Sequence, residues 1–112
     1  MATAFKHKVT TSIGTTPTEI LQMGLGFKAT VIGFNVANVT EHDIVTINVW
    51  VIDSSSTAAY YIKNIIIPPN TSLKLITNGE KVILDDMTSL RITSDTENSI
   101  DVIVSYVEVT TV

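Results

Sequence analysis

Apolar residues recur at every second position along much of this chain, in short runs separated by polar, glycine or proline turns. Period two is the mark of a strand with one buried face, and a helix cannot gather such a set on one side. Residues 30–39 set Ile32, Phe34 and Val36 toward one face and Gly33, Asn35 and Ala37 toward the other. Residues 44–52 place Val45, Ile47, Val49 and Val51 on one face, with Thr46, Asn48, Trp50 and Ile52 behind them. The same reading predicts strands over residues 9–13, 19–23, 59–67, 72–76, 81–84, 90–93 and 100–109. Turns fall at residues 40–43, 53–57 and 95–99, Pro68-Pro69 stops one strand, and Asn78-Gly79 is the strongest hairpin signal, with residues 81–84 as its return strand. About eight or nine short strands at this spacing, with no helical period, predict an all-β fold: an antiparallel, jelly-roll-like β-sandwich. The 112 residues fit one domain. We divide them into an N-terminal arm with a first short strand, residues 1–12, and a single sandwich domain, residues 13–112.

The last strand carries more than fold information. Ile100, Val102, Val104 and Tyr106 occupy one face and Ile103, Val107 and Val109 the other. A strand apolar on both faces is buried on both. A lone sandwich leaves one face of each sheet to water, so the cover is either loops folded over a curved sheet or a partner subunit, and a partner subunit is the expected one. Charged residues make up only 16% of the chain, against about 25% in an ordinary domain, which also favours a partly covered surface. Phe5, Trp50, Ile52, Ile103, Val107 and Val109 are the interface candidates. Self-association is expected, with a trimer as the first form to test.

Net charge is −4 and the few Lys and Arg residues are scattered, so no basic stripe is available to displace counterions and nucleic acid is not an expected partner. The opening residues contain no apolar signal-peptide core, and no apolar run is long enough for a membrane-spanning helix. With no cysteine, disulfides, thiolate metal sites and cysteine nucleophiles are excluded.

No residue constellation predicts catalysis. His7 lies between Lys6 and Lys8 without an acid beside it. Glu41-His42-Asp43 is a solvated turn, since adjacent turn residues do not readily converge on one ion. Asp85-Asp86, and Asp95, Glu97 and Asp101, read as polar turns. No phosphate-binding glycine loop or nucleophile elbow occurs. The expectation is a protein that is not an enzyme and has no cofactor and no metal. Asn38-Val-Thr40 and Asn70-Thr-Ser72 match the glycosylation acceptor pattern by chance. Trp50, Tyr60 and Tyr61 are the aromatic residues from which a carbohydrate-binding platform could be built, an alternative of another class.

From Thr15 to Val109 the chain resembles small virion proteins of tailed bacteriophages. Ile67-Pro-Pro-Asn-Thr-Ser-Leu73 resembles that group's apolar-Pro-x-Gly-x-Ser-Leu pattern, and Lys81-Val-Ile-Leu84 its Lys-x-x-Leu strand. Leu90-Arg-Ile-Thr-Ser-Asp95 and Ile100-Asp-Val-Ile-Val-Ser-Tyr-Val-Glu108 are similar to its closing strands, and Thr30-Val-Ile-Gly-Phe-Asn-Val-Ala-Asn38 to its central one. The chain departs at Asn70 and Met87-Thr88, where the pattern has glycine and Gly-Asp turns. The resemblance implies a non-enzymatic subunit that decorates or cements a capsid, made in the host cytoplasm and held in the virion by its own copies and by proteins such as the major capsid protein. A neck, tail, baseplate or fibre position is the alternative.

Overall fold

The computed structural model describes residues 2–76 and 81–110, which form nine strands and no helix. These are β1 (Ala2–Ile13), β2 (Thr18–Gln22), β3 (Phe27–Asn38), β4 (Val45–Ile52), β5 (Ala58–Ile67), β6 (Ser72–Lys74), β7 (Val82–Leu84), β8 (Ser89–Ser94) and β9 (Ile100–Thr110). Sheet A runs β1-β9-β3-β6, with β7 also on β3, and sheet B runs β2-β8-β4-β5. The antiparallel pairings are nested: β1 with β9, β2 with β8, β3 with β6 and β7, β4 with β5. That is one long ribbon doubled back at the β4–β5 turn and rolled up, a jelly roll. The expected antiparallel sandwich is therefore the observed one.

The period-two pattern places the core. Val45, Ile47 and Val49 of β4, Leu90 and Ile92 of β8, and Ile100, Val102 and Val104 of β9 are fully buried between the sheets. Each such side chain contributes about 1.5–3 kcal/mol by leaving water. Polar side chains are buried where the chain crosses from one sheet to the other and the backbone leaves its ladder. At the β3–β4 crossing, Asn38 Nδ2 donates to the Asp43 and Ile67 carbonyls at 2.9 Å each, and its Oδ1 accepts from Thr40 N at 3.0 Å. At the β8–β9 crossing, Ser94 and Ser99 hydroxyls stand 2.7 Å apart, and Ser99 Oγ donates to Thr96 O at 2.6 Å. Buried carbonyls that no strand can reach are satisfied this way.

Three expectations need correction. Ile32 does not share a face with Phe34 and Val36. Val31 pairs with Tyr106 and Gly33 with Ser105, so Ile32 is an extra residue in a β-bulge and turns outward. Second, β6 and β7 do not pair with each other. Both run antiparallel to β3, along successive stretches of one edge. Asn78-Gly79 lies outside the described residues, and residues 81–84 are not the return strand of a hairpin with β6. Third, the arm expected over residues 1–12, with only residues 9–13 as strand, is almost wholly β1, which lies on the chain's own β9 from Ala2 onward. Asn70 and Met87, which stand where the resembled pattern has glycine, both adopt positive φ, 54° and 58°, the region glycine enters most easily.

Three exposed carboxylates are held below their usual range by partners in the fold: Asp53 by the Ser55 hydroxyl, Asp85 by the Lys28 ammonium, and Glu97 by the Thr15 hydroxyl. A depressed folded pKa gives stability that is present above the unfolded value, about 4, and is lost as pH falls through the folded one. We expect a thermal midpoint that is flat from pH 8 to 6 and drops below about pH 4. A midpoint that rises on acidification would contradict these pairings.

Candidate assembly surfaces

Sheet A exceeds sheet B in strand length, and β9 lies inside it between β1 and β3. Among the described residues no further layer covers the outer face of β9. Ile103 is 46% exposed, and Val107 and Val109 are half-buried by neighbours within the sheet. Register extends this face on both sides. Phe5 lies opposite Val107 and Val9 opposite Ile103 on β1, while Thr30 on β3 links Val107 to Ile83 on β7. Phe5 is 80% exposed, Ile83 68% and Val9 54%. With outward-turned Ile32, these residues make an apolar band across the width of sheet A, interrupted between its Phe5 and Val9 rows by His7 and Ser105. Beside it is a shallow hollow of about 340 Å³, bordered by Ile32, Gly33, Asn35, Lys74, Ile103 and Ser105. It sits where the bulge meets the end of β6.

The outer face of sheet B is different. Cross-strand register lines up Glu19, Arg91, Trp50 and Tyr60 in one row. Arg91 Nη2 lies 3.6 Å from Glu19 Oε2, Trp50 meets Tyr60 edge-on at 6.1 Å, and Lys63 stands 4.9 Å from the Tyr60 ring centre. Ile52 follows Trp50 on this face. Tyr61 is half-buried and donates its hydroxyl to Leu75 O at 3.1 Å. The three aromatic residues considered for sugar binding therefore do not form a coplanar platform.

The six interface candidates thus fall on opposite sides of the sandwich. Phe5, Ile103, Val107 and Val109 share the face of sheet A, and Trp50 and Ile52 share that of sheet B. Val9, Ile32 and Ile83 were not singled out from sequence. The spacing of Val9, four residues from Phe5, signals a shared strand face, but Ile32 and Ile83 need the bulge and the β3–β7 pairing to be found.

The sheet edges differ as sharply as the faces. β1 pairs with β9 over nine consecutive residues from Ala2 to Thr10 and has no described strand on its other side. The far edge of sheet A is broken into β6 and β7, three residues each. In sheet B, β2 is five residues long with a register shift, and β5 is bulged twice against β4, near Asn64 with φ 54°. Short, bulged and broken edges resist strand addition. β1 also carries Lys6, which ion-pairs Glu108 at 2.7 Å, with exposed His7 and Lys8 beside it.

Lys28 pairs with Asp85 and lies 3.6 Å from Asp86. His42 is exposed, 3.9 Å from Glu41. Among the described residues no three His, Asp or Glu side chains gather around one point.

No protein-family model and no curated protein sequence matches the chain. Among solved structures it is similar to a chain of the Bacillus endospore appendages, described as a novel family of disulfide-linked pili. The TM-score is 0.55 at 12% identity, over 99% of this chain and 88% of that one. A weaker likeness is to infectious bursal disease virus, Gt strain, with TM-score 0.38 and 9% identity, covering 97% of this chain and 33% of the other. At such identities the first likeness is one of fold.

Proposed function

We propose that this chain is a non-enzymatic structural subunit that assembles with copies of itself in a virion or a surface appendage. The observation that carries this is the apolar band of Phe5, Val9, Ile103, Ile32 and Ile83 on the open face of sheet A. Apolar area of that kind, on a domain with 16% charged residues, marks a surface meant to be covered. A jelly roll shared with a pilus chain supports a repeated subunit. Copies of this chain cannot be joined by disulfides, because it has no cysteine, so their contacts rest on packing and strand pairing.

The resemblance to tailed-phage proteins favours a virion, with capsid decoration or cementing ahead of a neck, tail or baseplate position. On that reading a trimer is the first assembly to test, and the major capsid protein is the second partner. Imaging of particles distinguishes these: decoration follows the capsid lattice, a neck protein forms one ring, and an appendage subunit repeats along a fibre. A monomer at high concentration that is also absent from any particle would end the proposal.

Ile103→Asp tests the sheet A face. Ile103 is 46% exposed, so the change is expected to lower the unfolding free energy by no more than about 1 kcal/mol. Its carboxylate would sit in the middle of the apolar band, and mass by light scattering should fall. Equal masses for variant and parent would place the contact elsewhere.

A further inference from the structure

We propose that β1 is a self-pairing edge: two copies join β1 to β1, antiparallel, about a two-fold axis at His7, and their sheets A become one continuous sheet. This rests on the reading of the chain as a self-assembling subunit and adds the surface, the partner and the register.

A strand with one side of its backbone unpaired is a template for another strand. The partner must itself offer a long regular edge. Among the described residues the other three edges of the sandwich are a pair of three-residue strands, a five-residue strand with a register shift, and a twice-bulged strand. Only β1 runs straight for nine residues. The complement to β1 is therefore β1 of a second copy, and an isologous pair follows.

The side chains choose the register. A two-fold axis normal to the sheet keeps both outer faces on one side, so odd-numbered residues of β1 meet odd-numbered residues. The two exposed apolar side chains, Phe5 and Val9, are equidistant from His7. An axis at His7 sets Phe5 against Val9 of the second copy, twice, and joins the apolar bands of the two subunits. An axis at Phe5 or at Val9 pairs one of these residues with itself and leaves the other without an apolar partner on the regular part of the strand. The axis at His7 also sets Lys6 against Lys8 of the second copy. Like charges directly opposite oppose pairing, and Glu108, already 2.7 Å from Lys6, offsets part of that repulsion.

The absence of cysteine gives a clean test. Directly opposite Cα atoms in an antiparallel pair are about 4.5–5.5 Å apart, inside the range a disulfide spans. His7→Cys should crosslink to itself under mild oxidation about a hundredfold faster than Lys63→Cys on β5, as expected when the partners are held together and need not collide. Phe5→Cys and Val9→Cys should crosslink poorly alone and well when mixed. Self-crosslinking that is fastest for Phe5→Cys would overturn the register. If His7→Cys is no faster than Lys63→Cys while the parent still sediments as an oligomer, β1 pairing is wrong and the structural-subunit reading survives. If the parent is monomeric at every concentration, β1 pairing is wrong, and the structural-subunit reading falls with it only if the chain is also absent from any particle.

Discussion

Replacing Asn38 by aspartate is expected to lower stability by about 4 kcal/mol at neutral pH, since an unsatisfied buried group costs about 1–3 kcal/mol and a charged one more. Asn38 is 2% exposed and does three jobs at once. Its amide nitrogen donates to the carbonyls of Asp43 and Ile67, which belong to the β3–β4 turn and the end of β5, and its oxygen holds Thr40 N. A carboxylate keeps the last contact and turns the first two into oxygen facing oxygen. The pH dependence has a defined sign. Buried against two carbonyls, the introduced carboxyl would have a folded pKa above its unfolded one. The folded state then binds more protons, and the penalty shrinks as pH falls from 7 toward 5. The parent is expected to show no such gain on acidification, because its shifted carboxylates are lowered and not raised. Urea denaturation at the two pH values, with an unchanged slope, reads this directly. A penalty that is the same at both would mean the side chain has moved out to water. The burial also leaves the Asn38-Val-Thr40 acceptor pattern inaccessible in the folded chain.

The residues that made the fold legible are those whose burial alternates. β4 is the clearest case: Val45, Ile47 and Val49 are fully buried, as the period-two pattern requires. β1 was hard to read because Lys6, His7 and Lys8 show no alternation. Both its faces are largely exposed, and it is a strand because β9 supplies its backbone partners and not because it buries a side. Pairing of that kind leaves no hydropathy signature. The bulge at Ile32 was hidden for a related reason. One inserted residue shifts the parity of everything before it, yet Ile32 is apolar and continues the written alternation, so sequence alone cannot tell it from a core residue. The Asn78-Gly79 signal misled through geometry. Strong turn chemistry predicts a local hairpin, whereas the nested jelly-roll pairing sends both flanking strands to β3, 35–39 positions earlier in the chain for β6 and 51–55 for β7. The assembly surface was half legible. The doubly apolar β9 pointed to it, but the separation of its candidates onto two faces follows only from sheet order.

That separation decides what a substitution should do to assembly. Changing Phe5 and Val9 together to aspartate is expected to weaken the β1 joint by roughly tenfold to a hundredfold while the isolated fold is kept. Each Phe5–Val9 cross-strand pair is worth roughly 0.2–1 kcal/mol, the two-fold axis makes two such pairs, and the new carboxylates facing one another across it cost a similar amount again. Phe5 and Val9 are exposed within the subunit, so no core packing is lost. An isologous joint closes on two copies, and anything larger requires a second contact. Trp50 and Ile52 on sheet B face away from the joined sheet and are placed to provide it. The two surfaces should therefore fail differently. Sedimentation of the Phe5/Val9 variant should lose the two-copy unit itself. Trp50→Ala should keep the two-copy unit and lose only the larger species. If Trp50→Ala dissolves the pair as completely as the β1 substitutions do, the subunits meet through sheet B, and the apolar band on sheet A must be assigned to a different partner.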